Sequence, residues 1–334
     1  MKNLLNEMYP DGIRVVSCFG GMEGLLIALT NQGVKIKSYK SFEIDKHGIA
    51  LTSHNFPFVE HMGDIMDANV DDIGECDLMV LGSPCQGFSN SGKKLGLDDE
   101  RSGLLIPALE LMRKVNPTYW IFENVRMKTE WLELLDTIIG VKHVEIDASL
   151  VSAQSRKRCF WANFNITQPK DKGIMLKDII EPNVDSGIVF KVGAYKGLTT
   201  VEKDNAVLRV PEATKKGYTD IENGDCFDYT FPNSKTRRGR NMKHKSNCLE
   251  TKPSFMVYEH PTVRKLTVTE AERLQGCEGW TIGDGTISNT QRLKLLGNGF
   301  CVPVIEHILC HIGNDCPPNI PQQSFDYDLQ VSIT

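Results

Sequence analysis

Cys85 stands in Leu81-Gly82-Ser83-Pro84-Cys85-Gln86-Gly87-Phe88-Ser89, where an apolar run breaks into a loop whose proline fixes its direction. A thiolate at the carboxyl edge of a sheet is a soft nucleophile. It can add to an electron-poor ring carbon once a base or dipole lowers its pKa. A buried or tight-turn cysteine is the plain alternative. A second apolar run, TYWIF, ends in Glu123-Asn124-Val125 and brings a carboxyl group to the same edge. An enclosed glutamic acid keeps its proton towards neutrality and can donate it or a hydrogen bond, although helix capping also suits this pair. In Gln154-Ser155-Arg156-Lys157-Arg158, an extended backbone puts Gln154, Arg156 and Arg158 on one face. Such a face suits an oxyanion or phosphate, or equally the salt bridges of an edge strand.

Two further pieces suit a nucleotide-like ligand. The turn Cys18-Phe19-Gly20-Gly21-Met22-Glu23-Gly24 follows the strand-like IRVVSCF and opens a helical pattern, so a ligand can approach the backbone and the helix N-terminus. Glu43 ends the next strand about 20 residues on, where an acid accepts ribose hydroxyls. Glycines here are also ordinary tight-turn residues. Gly63-Asp64-Ile65 could set a carboxylate beside an adenine amino group and Ile65 against its ring, although short Asp-containing loops are common.

The elements that must position these groups read as a doubly wound α/β fold. Strand candidates recur at Ile13 to Phe19, Tyr39 to Phe42, Asp77 to Leu81, Tyr119 to Phe122, His143 to Ile146 and Cys159 to Phe164. Helical patterns intervene near Lys46 to His54, Leu104 to Val115 and Glu130 to Ile139, which implies a mainly parallel sheet covered on both faces. Ligands in such sheets sit at the strand C-terminal ends. After about Ile180 the periodicity degrades into an irregular second domain. Order returns at RKLTVTEAERLQG, where Thr269 is expected to cap a short helix, and an apolar helix near Val302 to Ile312 returns to the first domain. The expected division is 1–186 with 290–334 as one domain and 187–289 as the other.

At 334 residues, with 40% hydrophobic and 24% charged residues, the chain excludes collagen, coiled coil and disordered linker. No run approaches the ~20 apolar residues of a membrane span, and the start lacks the apolar core of a signal peptide. Ten cysteines fall singly, with no zinc spacing, which implies reduced thiols in a cytoplasm-like compartment and no metal. Net charge is −5, so any nucleic-acid site must be local. One stretch qualifies: Tyr229 to Leu249 contains no acid while Lys235, Arg237, Arg238, Arg240, Lys243 and Lys245 crowd together. A solvated loop is the plain reading of the run alone.

The ordered set CFGGMEG, FEID, GDI, GSPCQGFS, ENV, QSRKR, RKLTVTEAERLQG and LLGNGFCVPV resembles the cytosine-5 DNA methyltransferase family over most of the chain outside Asp185 to Pro261. VSAQSRKRCFWANF also looks like the eukaryotic de novo branch, while the compact length is more like bacterial and phage enzymes. The resemblance implies a Rossmann-like large domain, S-adenosylmethionine as methyl donor, and a small target-recognition domain facing it across a cleft for double-stranded DNA. It implies that Phe19, Gly21, Gly24, Glu43, Ile44, Asp64 and Ile65 hold the donor, and that Asn298 belongs with them and braces the catalytic loop. Cys85 becomes the nucleophile, Glu123 the partner of cytosine N3 and its amine, and Arg158 the contact to O2. Arg156 and Gln154 support the loop and phosphates, and Pro84, Gln86 and Ser89 contact the substrate. Ser89 to Gly103 looks like the loop that closes over an extruded base.

Three departures stand out: Ser17 where many members have an acid, Glu23 at a usual glycine, and GNGF where GNSV is common. With the resemblance, the basic stretch gains a task, Arg237 and Arg238 as DNA contacts and Arg240 reaching a guanine edge. The enzyme is expected to act as a monomer in the cytoplasm of a bacterium or a phage-infected cell. The alternatives are a tRNA cytosine methyltransferase, disfavoured by the large second domain, and a silent DNA-binding homologue, disfavoured by the presence of Cys85 and Glu123.

Overall fold

The computed structural model describes residues 4–313 apart from 84–103, 183, 185, 202–205 and 253–254. The chain runs α1 (Leu4–Met8), β1 (Ile13–Cys18), α2 (Gly24–Asn31), β2 (Ile36–Phe42), α3 (Lys46–Asn55), β3 (Glu60–His61), α4 (Val70–Ile73), β4 (Leu78–Leu81), α5 (Leu105–Val115), β5 (Tyr119–Val125), α6 (Thr129–Ile139), β6 (Val144–Asp147) and β7 (Lys157–Ala162). These strands form one sheet in the order β3-β2-β1-β4-β5-β7-β6. Neighbours from β3 to β5 are parallel, and β7 runs antiparallel to both β5 and β6.

Both faces of this sheet are covered, which is why β4 is apolar and buried at every position. On one face α2, whose residues from Gly24 to Leu29 are all buried, packs with the C-terminal helix; on the other, α5 and α6 present amphipathic stripes. The chain winds outward from β1 to β3 and then returns to β4 on the other side of β1, so the crevice of the topological switch lies between β1 and β4. In register, Phe42, Cys18, Leu81 and Phe122 form one row across β2, β1, β4 and β5. One residue beyond that row stand Glu43, Phe19, Gly82 and Glu123.

The irregular part contains two small antiparallel sheets. β9 (Thr199–Val201), β10 (Val207–Pro211) and β11 (Tyr218–Ile221) form one, after β8 (Val189–Lys191), which joins β12 (Cys226–Asp228), β13 (Phe255–Glu259) and β14 (Thr262–Lys265) in the other. They share an apolar core that includes Leu208, Ile221, Phe227, Tyr258 and Val263. A further cluster, with Ala153, Leu176, Cys226, Val257 and Leu274, forms the seam to the large sheet. Then come α7 (Val268–Gln275), α8 (Asn289–Asn298) and α9 (Val302–Leu309). Ala271, Cys277 and Ile287 pack in the same core as α9.

The cap of α7 is Thr267, not Thr269: its hydroxyl accepts from Glu270 N at 3.0 Å while the Glu270 carboxylate accepts from Thr267 N at 2.9 Å, a reciprocal box. Among the described residues no helix is long and apolar enough to cross a membrane, and no group of three or more His, Cys, Asp or Glu could hold a metal ion.

Candidate active site

Two of the expected groups, Glu123 and Arg158, converge at the end of β5. Glu123 Oε1 lies 3.0 Å from Arg158 Nε, both side chains mostly buried. Antiparallel pairing of β5 and β7 sets Val125 opposite Arg158 and Glu123 opposite Phe160, which brings the guanidinium back over the carboxylate. Burial pushes the Glu123 carboxyl above its ordinary value of 4.5, and the charges of Arg158 and Arg156 offset only part of that. Asn124 is buried alongside, its Nδ2 donating to Ser83 Oγ at 3.2 Å, so the strand end that precedes the cysteine loop is tied to β5. A Cβ added to Gly82 would lie 3.8 Å from Glu123 Oε2. Pro84, Cys85, Gln86 and Ser89 lie outside the described residues.

A second thiol, absent from the sequence reading, enters this site from the loop before β13. Cys248 Sγ accepts from Arg156 Nη1 at 3.2 Å and from Arg158 Nη2 at 3.6 Å. Burial alone would raise its pKa, but the two guanidinium groups outweigh that and lower it. Burial instead pushes Cys159 and Cys301 up to about 12. Phe300 was also missed as a wall. Its ring occupies the space where Gly82 would carry a Cβ and its own Cβ sits 3.1 Å from where Gly24 would, so it separates the turn after β1 from Glu123. Glu123, Arg158, Phe160, Phe300 and Cys301 line a small pocket here.

Other expected contacts are corrected. Arg156 does not face solvent. It is buried, and its Nη1 and Nη2 donate to Leu249 O at 3.1 Å, Gly297 O at 3.2 Å and Gly299 O at 2.9 Å, which makes it a strut between β7, the second domain and the α8–α9 turn. Gln154 is equally buried, donating to Leu274 O at 2.7 Å and Gln275 Oε1 at 2.9 Å and accepting from Leu249 N at 3.2 Å, so no phosphate reaches it. The expected common face of Gln154, Arg156 and Arg158 therefore supplies one cation at the candidate site and two structural ties. In the basic stretch Arg240 is 1% exposed, donating to Asp228 O and Thr230 O at 2.9 Å and Phe231 O at 2.7 Å, and cannot meet a guanine edge. Arg237 pairs with the buried Asp228, and Lys245 donates to Ile174 O at 2.9 Å and two further carbonyls of the large domain. Arg238 is exposed, with its Nε on Ala213 O at 2.9 Å.

The turn after β1 offers a cradle. Gly21 has φ of 59°, in the left-handed region, and nothing lies within 4 Å of where a Cβ would be. Glu43 accepts from Gly21 N at 2.7 Å, Ile44 N at 2.8 Å and Asp45 N at 2.7 Å. About one of a carboxylate's ~four acceptor positions is left for a hydroxyl rather than two. Phe19 and the buried Ile65 flank one apolar cluster, Asp64 caps the short turn at Ile65 through Met66 N at 3.0 Å, and Ile44 and Asn298 are exposed. Gly24 faces Phe300 instead of open space.

Glu23 explains the departures in this turn. Its carboxylate is buried beside Ser17, accepting from Tyr39 Oη at 2.6 Å and Ser41 Oγ at 2.5 Å, directly under Gly20, where any Cβ would strike it. Open space at Gly21, an acid at the next strand end and an apolar flank fit a nucleoside-bearing sulfonium donor.

The family model for the C-5 cytosine-specific DNA methylase matches residues 13–314. The chain belongs to this family. Type II methyltransferase M1.ScrFI of Lactococcus lactis subsp. cremoris is 28% identical over 324 residues, covering 88% of this chain and 76% of that protein. Type II methyltransferase M.NlaX of Neisseria lactamica is 25% identical over 314 residues, covering 88% and 94%. The solved structure of the Entamoeba histolytica methyltransferase EhMeth superposes with a TM-score of 0.60 at 19% identity, covering 89% of this chain and 96% of that one, a likeness of fold. This C-5 cytosine methylase is thus an S-adenosylmethionine-dependent enzyme by family and fold.

Proposed function

We propose that the chain methylates C5 of a cytosine extruded from duplex DNA, with Cys85 as nucleophile, Glu123 and Arg158 holding the base, and the turn Phe19 to Gly24 with Glu43, Asp64 and Ile65 holding the donor. The observation that carries the reading is the Glu123–Arg158 pair, one residue past the strand row that also delivers Phe19, Glu43 and Gly82. S-adenosylmethionine supplies an electrophilic methyl group on a positively charged sulfur when bound.

The chain's own residues make the other reactant. Cytosine C5 is a poor nucleophile until the Cys85 thiolate adds to C6 while Glu123 gives N3 a proton, which moves the ring electrons onto C5. After the methyl group has moved, loss of the C5 proton, departure of the thiolate and return of the N3 proton to Glu123 restore the ring. Burial suits Glu123 to this task, because it keeps the proton on the carboxyl to higher pH. Arg158 orients that carboxyl and reaches O2, Cys248, itself fixed by Arg156, holds Arg158 in turn, and Phe300 separates donor and base.

Target recognition belongs to residues 187 to about 266, a boundary earlier than the 289 expected from sequence, because Ala271, Cys277 and Ile287 share the large domain's core. Arg238, Lys235 and Lys243, which stand exposed, would meet phosphates. The enzyme acts as a monomer in a cytoplasm that keeps its thiols reduced. Transfer of labelled methyl groups to duplex DNA and to tRNA, followed by bisulfite sequencing of DNA from expressing cells, tests the reading. Label in DNA at C5 of one sequence is the expected result, and label in tRNA alone would overturn it.

A further inference from the structure

Phe231 is, at 71%, the most exposed large apolar side chain among the described residues, and its backbone has φ of 50°. That left-handed conformation is costly for a bulky residue. The loop around it is held firmly. The buried Asp228 carboxylate accepts from Thr230 N and Arg237 Nε, both at 2.7 Å. Arg240 spends its two terminal nitrogens on the carbonyls of Asp228, Thr230 and Phe231, and Ser234 N adds a bond of 2.9 Å to the same Phe231 carbonyl.

A ring that merely lay on the surface would need neither a strained backbone nor a buried guanidinium aimed at its own carbonyl. The surroundings name the partner by charge. Lys235, Arg238 and Lys243 stand exposed in a stretch of chain with no acid between Tyr229 and Leu249, on a protein whose net charge is −5. An apolar ring carried on an acid-free stretch of chain with exposed cations suits a ligand with a charged backbone and an apolar interior, which is what a base-paired duplex is.

We propose that Phe231 is a wedge whose ring enters the base stack of duplex DNA at the recognised site, with Arg240 as the strut that keeps it presented. The proposal rests on the DNA-methylation reading. Entry of the ring at a step of the recognised site offsets part of the stacking lost when a base leaves the duplex. Because the wedge is uncharged, it adds affinity without releasing counterions.

The test uses the full chain and a duplex carrying the site found by bisulfite sequencing, with affinity measured over a range of salt. Phe231→Ala is expected to weaken binding about tenfold at every salt concentration while leaving the slope of log K against log salt unchanged. Phe231→Trp is expected to restore affinity to within about threefold of wild type, since any π-face can stack. Arg238→Ala, by contrast, lowers the slope by about one. The melting temperature of Phe231→Ala should match wild type because the ring is solvated. Unchanged affinity in Phe231→Ala, or a loss that Trp does not restore, overturns the wedge. If wild type methylates the duplex in either case, the methylation reading stands; if wild type is inert on all DNA, that reading has failed instead.

Discussion

At the seam between the large and small sheets, Glu270 is fully buried and fully matched. Arg264 grips its carboxylate with two bonds of 2.8 and 2.9 Å, and Thr267 N and Glu181 N, each at 2.9 Å, complete the set. At the end of β5, Glu123 is also withdrawn from water but has, among the described residues, one ion-pair contact, to Arg158, and its carboxyl is left with a raised pKa. The seam uses its charge to fix geometry, and the strand end keeps its charge unsettled, available to a ligand.

Breaking each region should therefore fail in a different way. Glu123→Gln is expected to lower the methyl-transfer rate by about 10²–10⁴-fold without lowering Tm, measured by single-turnover transfer beside a thermal melt. The wild-type contribution that needs a protonated Glu123 falls as pH rises through its raised pKa, and Gln removes that fall. Glu270→Gln breaks a buried pair and leaves the Arg264 guanidinium the partly exposed Glu259 as its counter-charge, so about 3 kcal/mol of stability should be lost in denaturant titration. The rate per folded molecule should hardly change.

Smaller effects sharpen the contrast. Cys248→Ala removes one of the acceptors that orient the Arg158 guanidinium and should lower kcat about tenfold with the KM for donor unchanged, while Cys248→Ser, which keeps an acceptor, recovers most of it. Glu23 offers a pH test. Its folded pKa is raised, by burial first, with the hydroxyls of Ser41, Tyr39 and Ser17 pulling the other way. Its contribution to stability is then whole below 4.5 and is lost as pH rises through the folded value. Glu23→Gln should show no such fall in a pH series of melts.

The large domain was readable because its strands are buried runs bounded by turns, and the motifs fall at strand ends where a parallel sheet places ligands. Glu123 could be placed at that edge for this reason, and Arg158, near the start of the antiparallel β7, pairs with it there. Arg156, Gln154 and Arg240 could not be placed in this way. One sequence cannot tell an arginine aimed at solvent from one that spends its fork on backbone carbonyls, and only tertiary packing decides between them. Cys248 reaches the site across a domain seam with no local pattern to mark it, and Phe300, although it stands in the LLGNGFCVPV motif, has its place as a wall set by packing between Gly24 and Gly82. Thr267 was legible: Thr-x-x-Glu to Glu270 is the reciprocal cap, a signal that Thr269 lacks.

Trapping on DNA that carries 5-fluorocytosine, in the presence of S-adenosylmethionine, tests the central chemistry most directly, because fluorine at C5 blocks the proton loss that would release the enzyme. Wild type should give a protein–DNA adduct that survives denaturation, and Cys85→Ala should give none. No adduct from wild type, or an adduct that persists in Cys85→Ala, would contradict the account.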